Sequence, residues 1–535
     1  MSLSEEFKAH IQEGYTYKKE YLTLGGAMLN GECQPDCHVK IALKTLNRHG
    51  LIAGATGTGK TKTLQVLAEQ MSLKGIPTFL MDLKGDLSGL AQPGVMNSHI
   101  EWRHGIIGDL PYSPEGLPVE IMSISEQGGV RLRATISEFG PVLLSKILGL
   151  NDTQGGIMAV IFRYCDDKKM PLIDLKDLKK ILQYIREGGR EEIEAVYGRV
   201  APASVSTIMR KIVEVEGQGA DKFFGEKSFN VEDLTRTTKD GKGIINIIRL
   251  DDIQDRPKMF STFMLGLLAE IYSTFPEQGD SDKPKLCIFI DEAHLIFKNA
   301  SEALLDQIES IVKLIRSKGV GIYFCTQNPT DIPEGVLSQL GLKVQHALRA
   351  FTAKDRKAIK KTSENYPISE YYNTDEVLTK LGIGEALITG LNEKGIPTPL
   401  AATLLRAPIT RMDVLTKSEI KSVISSSDLV PVYNEDIDRE SAYEILTKKI
   451  EKAQSKENQE KLKEDEKKVH KVSSRKELSV MEKISKNTMV RQLGRTILRE
   501  VTRGLLGILE KKIINEIFKN NISGLFGLLF STGTR

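Results

Sequence analysis

The sequence predicts an α/β fold built on a mainly parallel sheet with helices on both faces. Three observations predict it. Apolar strand-length runs alternate with amphipathic helix-length segments. One apolar run opens directly into a glycine loop and a helix, in "LIAGATGTGKT". Another, "LCIFIDEAH", closes on two acids, Asp291 and Glu292. Open parallel sheets bind ligands at the carboxyl ends of their strands, so both runs deliver their polar residues to one edge.

The elements follow in order. Residues 1–45 form a small β-rich segment, a short helix and then strands in "YLTLGGAML" and "CHVKIALKTL". Residues 46–100 are the first part of the core. Its helix, "KTKTLQVLAEQMSLKG", stops at Gly75, and its second strand, in "IPTFLMDLKGD", ends at Asp82. Residues 101–240 change character. "ISEFGPVLLSKILGL", "TQGGIMAVIFRYCDD" and "LKDLKKILQYIREGG" read as successive amphipathic helices, hence a helical insertion. Residues 241–412 resume the core with strands in "GIINIIRL", "KLCIFIDEAH" and "VGIYFCTQNP". Residues 413–478 are expected as a charged helical linker and residues 479–535 as a basic amphipathic C-terminal helix.

With 535 residues the chain exceeds one ordinary core, so two to four structural units are expected. Apolar residues at 40% and charged residues at 27% are a soluble globular balance. A net charge of +3 gives no global field, so any nucleic-acid contact must use local basic groups. "MSLSEEFKAH" lacks a basic and then apolar leader, and no apolar run reaches the roughly 18 residues of a spanning helix. Five cysteines read as reduced thiols, and the expected location is cytoplasmic. "CQPDCH" offers Cys33, Cys37 and His38, too few ligands for a structural zinc site.

The chemistry starts at the glycine loop. Gly54, Gly59, Lys60 and Thr61 fill GxxxxGK[ST] between a strand and a helix, the context that gives the motif its meaning. Such a loop turns backbone N–H groups inward onto phosphate oxygens, and the helix start adds a favourable dipole. The stretch of Gly54, Thr56, Gly57, Thr58, Gly59, Lys60, Thr61 and Lys62 is therefore expected to hold a nucleotide, ATP, with Lys60 on the β/γ-phosphates. Thr61 and Asp291 are the expected Mg²⁺ ligands, and Glu292 is placed to polarise water. Gln327, ending the "VGIYFCTQ" strand, could sense the γ-phosphate. Asp82 either lines the same cleft or caps the turn in "DLKGD".

These residues resemble the HerA/FtsK superfamily of motor ATPases. The resemblance rests on the order of "RHGLIAGATGTGKT", "FLMDLKGD", "IFIDEAHLIF", "IRSKGVGIYFCTQNP" and "GIGEALITGLNEKGIPTP", and is nearest to HerA-like, YjgR-type bacterial ATPases. It implies a RecA-like P-loop NTPase core, a hexameric ring and ATP-driven movement of DNA. It also implies catalytic roles for Arg48 and Arg316, one of them acting across a subunit boundary, with Arg349 a third candidate.

In the tail, Arg491, Arg495, Arg499 and Arg503 recur every fourth residue beside an apolar stripe. Such a helix can pack on its own chain or a neighbour, bind a protein partner, touch phosphates, or lie on an anionic membrane as a peripheral contact. Two functional expectations follow. The first is a ring motor acting on DNA. The second is an assembly or secretion-type motor acting on protein cargo or at a membrane surface, since fold does not fix cargo.

Overall fold

The computed structural model describes residues 2–452 and 455, apart from 109, 280, 299–301, 351 and 438. The tail arginines and most of the charged run after 450 lie outside the described residues.

One sheet organises the described chain. Its strands are β1 (Tyr21–Leu29), β2 (Glu32–Ala42), β3 (Gly50–Ala53), β4 (Thr78–Asp82), β5 (Val119–Ser123), β6 (Val130–Arg131), β7 (Ile245–Arg249), β8 (Leu286–Ile290), β9 (Val320–Thr326), β10 (Leu342–Gln345), β11 (Glu385–Thr389) and β12 (Ala401–Leu405). Their order across the sheet is β2-β1-β12-β11-β10-β3-β9-β8-β4-β7-β5-β6. From β10 to β6 every pairing is parallel. From β10 back to β2 every pairing is antiparallel. The α/β core with a mainly parallel sheet is thus present, with an antiparallel wing.

The central strands β3, β4, β8 and β9 are buried at every residue. That is why they read as continuous apolar runs, since helices cover both faces of a parallel sheet. Alternate residues feed two cores. Ile322 and Phe324 of β9 pack with Phe79 and Ile288 on one face. Tyr323 and Cys325 pack on the other with Leu67 and Met71 of the Lys60–Leu73 helix. There Phe289 and Tyr323 stack with ring centroids 4.7 Å apart.

Three parts of the chain differ from the expected division. First, β1 and β2 are not a separate segment; they form a hairpin that pairs onto β12 and extends the core sheet. Asn30 and Gly31 close the hairpin with φ of 53° and 84°, the left-handed pair that a two-residue turn requires. Second, the 101–240 insertion contains the expected helices, including Asp152–Asp167 and Leu175–Tyr184, whose starts are fixed by capping boxes at Asn151 and Asp174. It also supplies β5 and β6 to the sheet edge. Strands of five and two residues are too short to leave a clear period in the sequence. Third, residues 413–450, within the stretch expected as a linker, pack on the core. Leu429, Tyr433, Ala442 and Leu446 are buried, and Asn434 accepts from the Arg131 N–H at 2.9 Å. A few apolar residues among many charges suffice to dock it.

His49, just ahead of β3, joins this frame through its ring. Its Nδ1 accepts from the Ile322 N–H at 3.0 Å, so Nε2 carries the proton and donates to the Val312 carbonyl at 2.8 Å. Burial, chiefly, holds its pKa down to about 4. Between pH 6.5 and 4 the unfolded chain then binds a proton that the folded chain refuses, so stability falls as pH falls through that window. The penalty reaches about 3 kcal/mol at ~1.36 kcal/mol per pKa unit. Thermal unfolding followed against pH should therefore drop more steeply below pH 6.5 in the wild type than in His49→Gln. Burial pushes Glu69 and Asp82 up to about 7, but both groups titrate in either protein and cancel in the comparison.

Candidate functional site

The loop after β3 is held at both sides by its neighbouring strands. The Gly54 N–H donates to the Thr326 carbonyl of β9 at 3.3 Å, and the Ala55 N–H to the Ala347 carbonyl beyond β10 at 2.9 Å. Gly54 has a φ of +150°, and a Cβ there would stand 2.5 Å from Cβ of His346. Gly59 has a φ of +111° directly ahead of the Lys60–Leu73 helix. Only glycine meets both conditions without strain. Thr58 turns inward and donates to the Ala55 carbonyl at 2.7 Å, while Thr56 and Gly57 are exposed at the tip. Thr63, one turn into the helix, meets the buried His346 at 2.8 Å and ties helix to sheet.

Lys60 is buried, with its ammonium folded back onto the Gly54 and Ala55 carbonyls at 2.7 and 3.1 Å. Its pKa is lowered by burial first and then by a nearby ammonium, that of Lys84. Across β9, the end of β8 brings up Asp291 and Glu292, both buried. Glu292 sits at φ +46°, a left-handed conformation rare for its type. Lys84 reaches over from the turn after β4 and ion-pairs with Glu292 Oε1 at 2.5 Å, with Asp291 Oδ2 at 4.0 Å. Burial, above all, raises the Asp291 carboxyl to about 6. Gln327 stands exposed at the end of β9, between the loop strand and β8.

Asp82 caps the turn and does not line the cleft. Its Oδ1 accepts from the Gly85 and Asp86 N–H groups at 2.7 and 3.2 Å, and its Oδ2 from the Leu87 N–H at 3.1 Å. The fixed turn aims Lys84 at Glu292 and Asp86 at Thr61, whose hydroxyl donates to Asp86 Oδ2 at 3.3 Å. Asp86 Oδ1 is buried without a hydrogen-bond partner, Asp291 Oδ2 has only Lys84 at 4.0 Å, and Glu292 Oε2 only His294 Nδ1 at 3.2 Å. Buried anionic oxygens beside a threonine hydroxyl fit a hard divalent cation such as Mg²⁺. Among the described residues no group of three or more His, Cys, Asp or Glu side chains could hold a metal by itself. Mg²⁺ suits that arrangement, since it takes one or two carboxylates and completes its shell with phosphates and water.

On the far side of the loop, Gly59, Lys62, Thr63 and Val66 share a mainly apolar cleft with Ile383 and Met412. Lys62 bridges it to the Met412 carbonyl. The Gly384 N–H donates to the Thr58 carbonyl at 3.0 Å, which fixes the cleft wall to the loop. The loop thus separates a charged side, toward β8 and β4, from an apolar side, toward β11 and β12.

The sequence model of the family described as helicase HerA-like C-terminal matches residues 28–514. The chain belongs to that family. Among its relatives, the DNA double-strand break repair helicase HerA of Sulfurisphaera tokodaii is 24% identical over 358 residues, 66% of this chain and 65% of that protein. The DNA import protein CedB of Sulfolobus acidocaldarius is 25% identical over 362 residues, 67% of this chain and 52% of that protein. The chain therefore spans just under two thirds of the first relative and about half of the second. Among solved structures, the bacterial conjugative coupling protein TrwBdeltaN70 is 13% identical with a TM-score of 0.48, covering 76% of this chain and 95% of that one.

In this HerA-like chain the remaining arginines lie elsewhere. Arg48 precedes β3 and Arg316 precedes β9, so both stand at the amino ends of strands whose carboxyl ends carry the loop. They line one cleft of about 450 Å³ with Lys313 and Lys343. The four residues of β3 alone put about 13 Å between the two edges. The structure thus gathers Lys60, Thr61, Asp291, Glu292 and Gln327 at one edge and Arg48 with Arg316 at the other. Arg349 is on the loop edge, with its guanidinium bonded to the Thr379 carbonyl at 3.3 Å. Two residues of the charged side, Lys84 and Asp86, were not singled out from the sequence, although "DLKGD" contains both. Their roles depend on how Asp82 folds the turn.

Replacing Asp82 with Ala strands three N–H groups in this turn. The unfolding free energy, measured in denaturant, should fall by roughly 2–4 kcal/mol. Asp82→Asn, which keeps an acceptor, should lose less.

Proposed function

We propose that this chain is an ATP-hydrolysing, ring-forming motor that translocates along or remodels DNA, working in the cytoplasm. The observation that carries the reading is the pairing of Lys60 and Thr61 with Asp291 and Glu292 across β9. The phosphates of ATP lie against the N–H groups from Gly54 to Lys62. Lys60 exchanges its two carbonyls for β/γ-phosphate oxygens. Base and ribose enter the apolar side, against Val66, Ile383 and Met412. Thr61 and Asp291 would hold Mg²⁺, with Asp86 bonded to the Thr61 hydroxyl, and the ion would supply charge neutralisation on the phosphates. Glu292 orients water in line with the γ-phosphate and takes its proton. Gln327 hydrogen-bonds the γ-phosphate or that water.

The arginines complete the site from outside. Arg48 and Arg316 cannot serve the loop of their own chain from the opposite sheet edge, but a neighbour in a ring can present that edge. Hydrolysis then needs two chains, and a closed ring, a hexamer, gives every loop a partner. Residues 46–100 and 241–412 form the ATPase in this reading, and 101–240 decorates it. DNA as the track is supported by the printed functions of the relatives, a repair helicase and a DNA import protein. Six copies of a few basic residues suffice for phosphate contacts on a nearly neutral chain.

ATP hydrolysis should rise on adding duplex DNA and lose that rise as salt increases. Lys60→Ala should abolish nucleotide binding. Glu292→Gln should keep binding and slow hydrolysis by about 10²–10⁴. Hydrolysis that ignores every DNA and RNA tested would replace DNA by protein or membrane cargo. The shared site has its own test. Arg316→Ala and Lys60→Ala chains, each inactive, should regain activity on mixing, at about a quarter of wild type. Only interfaces joining an intact loop to an intact arginine can turn over. No recovery in rings verified as mixed would place Arg316 outside the reaction.

A further inference from the structure

Glu292, the residue read above as the base, is already engaged. One of its oxygens is 2.5 Å from the Lys84 ammonium. The carboxylate oxygen held by an ammonium at that distance is occupied and is not free to accept a hydrogen bond from water. Its side chain is about 10% exposed, whereas that of Lys84 is 39% exposed. The lysine is thus the partner that an incoming ligand can reach. Lys84 sits on the turn that three Asp82 hydrogen bonds hold in place, so its reach is limited to the space between loop and β8. Lys60, whose pKa is lowered by burial first, also feels the charges of Lys84, Glu292 and Asp291 across the same space. Two ammonium groups and two carboxylates therefore surround one volume, on the side of the loop assigned to the γ-phosphate. Both ammonium groups are held on protein oxygens, Lys60 on two carbonyls and Lys84 on Glu292.

We propose that Lys84 exchanges partners, holding Glu292 when no triphosphate is bound and moving to the γ-phosphate when ATP arrives, so that the base is unmasked only in the presence of its substrate. This rests on the ATPase reading of the site. A γ-phosphate carries up to three anionic oxygens and outcompetes one carboxylate for the lysine. ADP has no such group, and with ADP bound the Lys84–Glu292 pair persists. The pair therefore opposes ATP binding and is neutral to ADP. No covalent step is involved; one ion pair is replaced by another.

Binding of a non-hydrolysable ATP analogue and of ADP to the full chain, with Mg²⁺, separates the alternatives. Glu292→Gln leaves Lys84 only its 4.0 Å contact with Asp291 and should tighten the analogue about tenfold while leaving ADP unchanged. Lys84→Met should weaken the analogue about tenfold, again sparing ADP, and Lys84→Arg should recover part of the loss. In Lys84→Met/Glu292→Gln the gain from Glu292→Gln should vanish. Retained ADP binding shows that each variant is folded. Equal weakening of both nucleotides by Lys84→Met would make the lysine a structural support. Tightening by Glu292→Gln that persists without Lys84 would reduce the effect to relief of anion repulsion. Either result overturns the exchange. Unaltered binding of both nucleotides by Lys60→Ala would instead overturn the ATPase reading itself, whatever Lys84 does.

Discussion

Two backbone hydrogen bonds carry the site, from Gly54 to the Thr326 carbonyl and from Ala55 to the Ala347 carbonyl. They stretch the phosphate loop between β9 and β10, on either side of its own strand. Everything else is placed relative to that suspension. Because the loop is pinned on its β9 side, the end of β8 is one strand further on, and its two acids face Lys60 and Thr61. Because it is pinned on its β10 side, His346 packs under Gly54 and meets Thr63. A side chain at Gly54 would collide with His346 and pull on both anchors at once. The glycine is thus set by the sheet below the loop as much as by the phosphates above it.

What was legible in the sequence is what depends on neighbours along the chain. The strand–loop–helix around Lys60 and the acid pair closing β8 are local signals, and they fall where the motifs put them. The β1–β2 hairpin was visible as strands, but its destination on β12, more than 350 residues later, was not. The strand β5 was lost among helices for a similar reason. Its five residues are held by pairing with β7, which comes from the other half of the core. The turn "DLKGD" is instructive because its residues were read and its roles were not. Asp82 had two possible jobs, and only the count of N–H groups around it decides between them. Once it caps, Lys84 and Asp86 inherit the cleft.

Arg48 and Arg316 show a different limit. In the sequence they precede the strands that carry the loop and Gln327, which makes them look adjacent to the chemistry. Parallel strands have two ends, and residues before a strand stand at the end opposite to residues after it. That geometry holds for every chain built on such a sheet, so no side-chain rearrangement brings these guanidiniums to their own loop. Their convergence with Lys313 and Lys343 in one cleft concentrates positive charge where the described chain offers no phosphate loop. A cationic cleft at one edge and an anion-binding loop at the other are complementary surfaces on the same molecule. In the ring proposed above, copies placed head to tail would satisfy both, since such contacts close into rings when the rotation allows.

The charge arrangement at the loop edge leads to the same view of the resting molecule. Lys60, Lys84, Asp86, Asp291 and Glu292 sum to one net negative charge by formal count, a poor reception for a polyphosphate. The loop's N–H groups and a divalent cation together reverse that sign. Each ammonium is held on protein oxygens, while Asp291 Oδ2 is 4.0 Å from Lys84 and Glu292 Oε2 is 3.2 Å from His294 Nδ1. The left-handed φ of Glu292 is held at this same edge. In the exchange proposed above, Lys84 and Lys60 would both leave protein oxygens for phosphate.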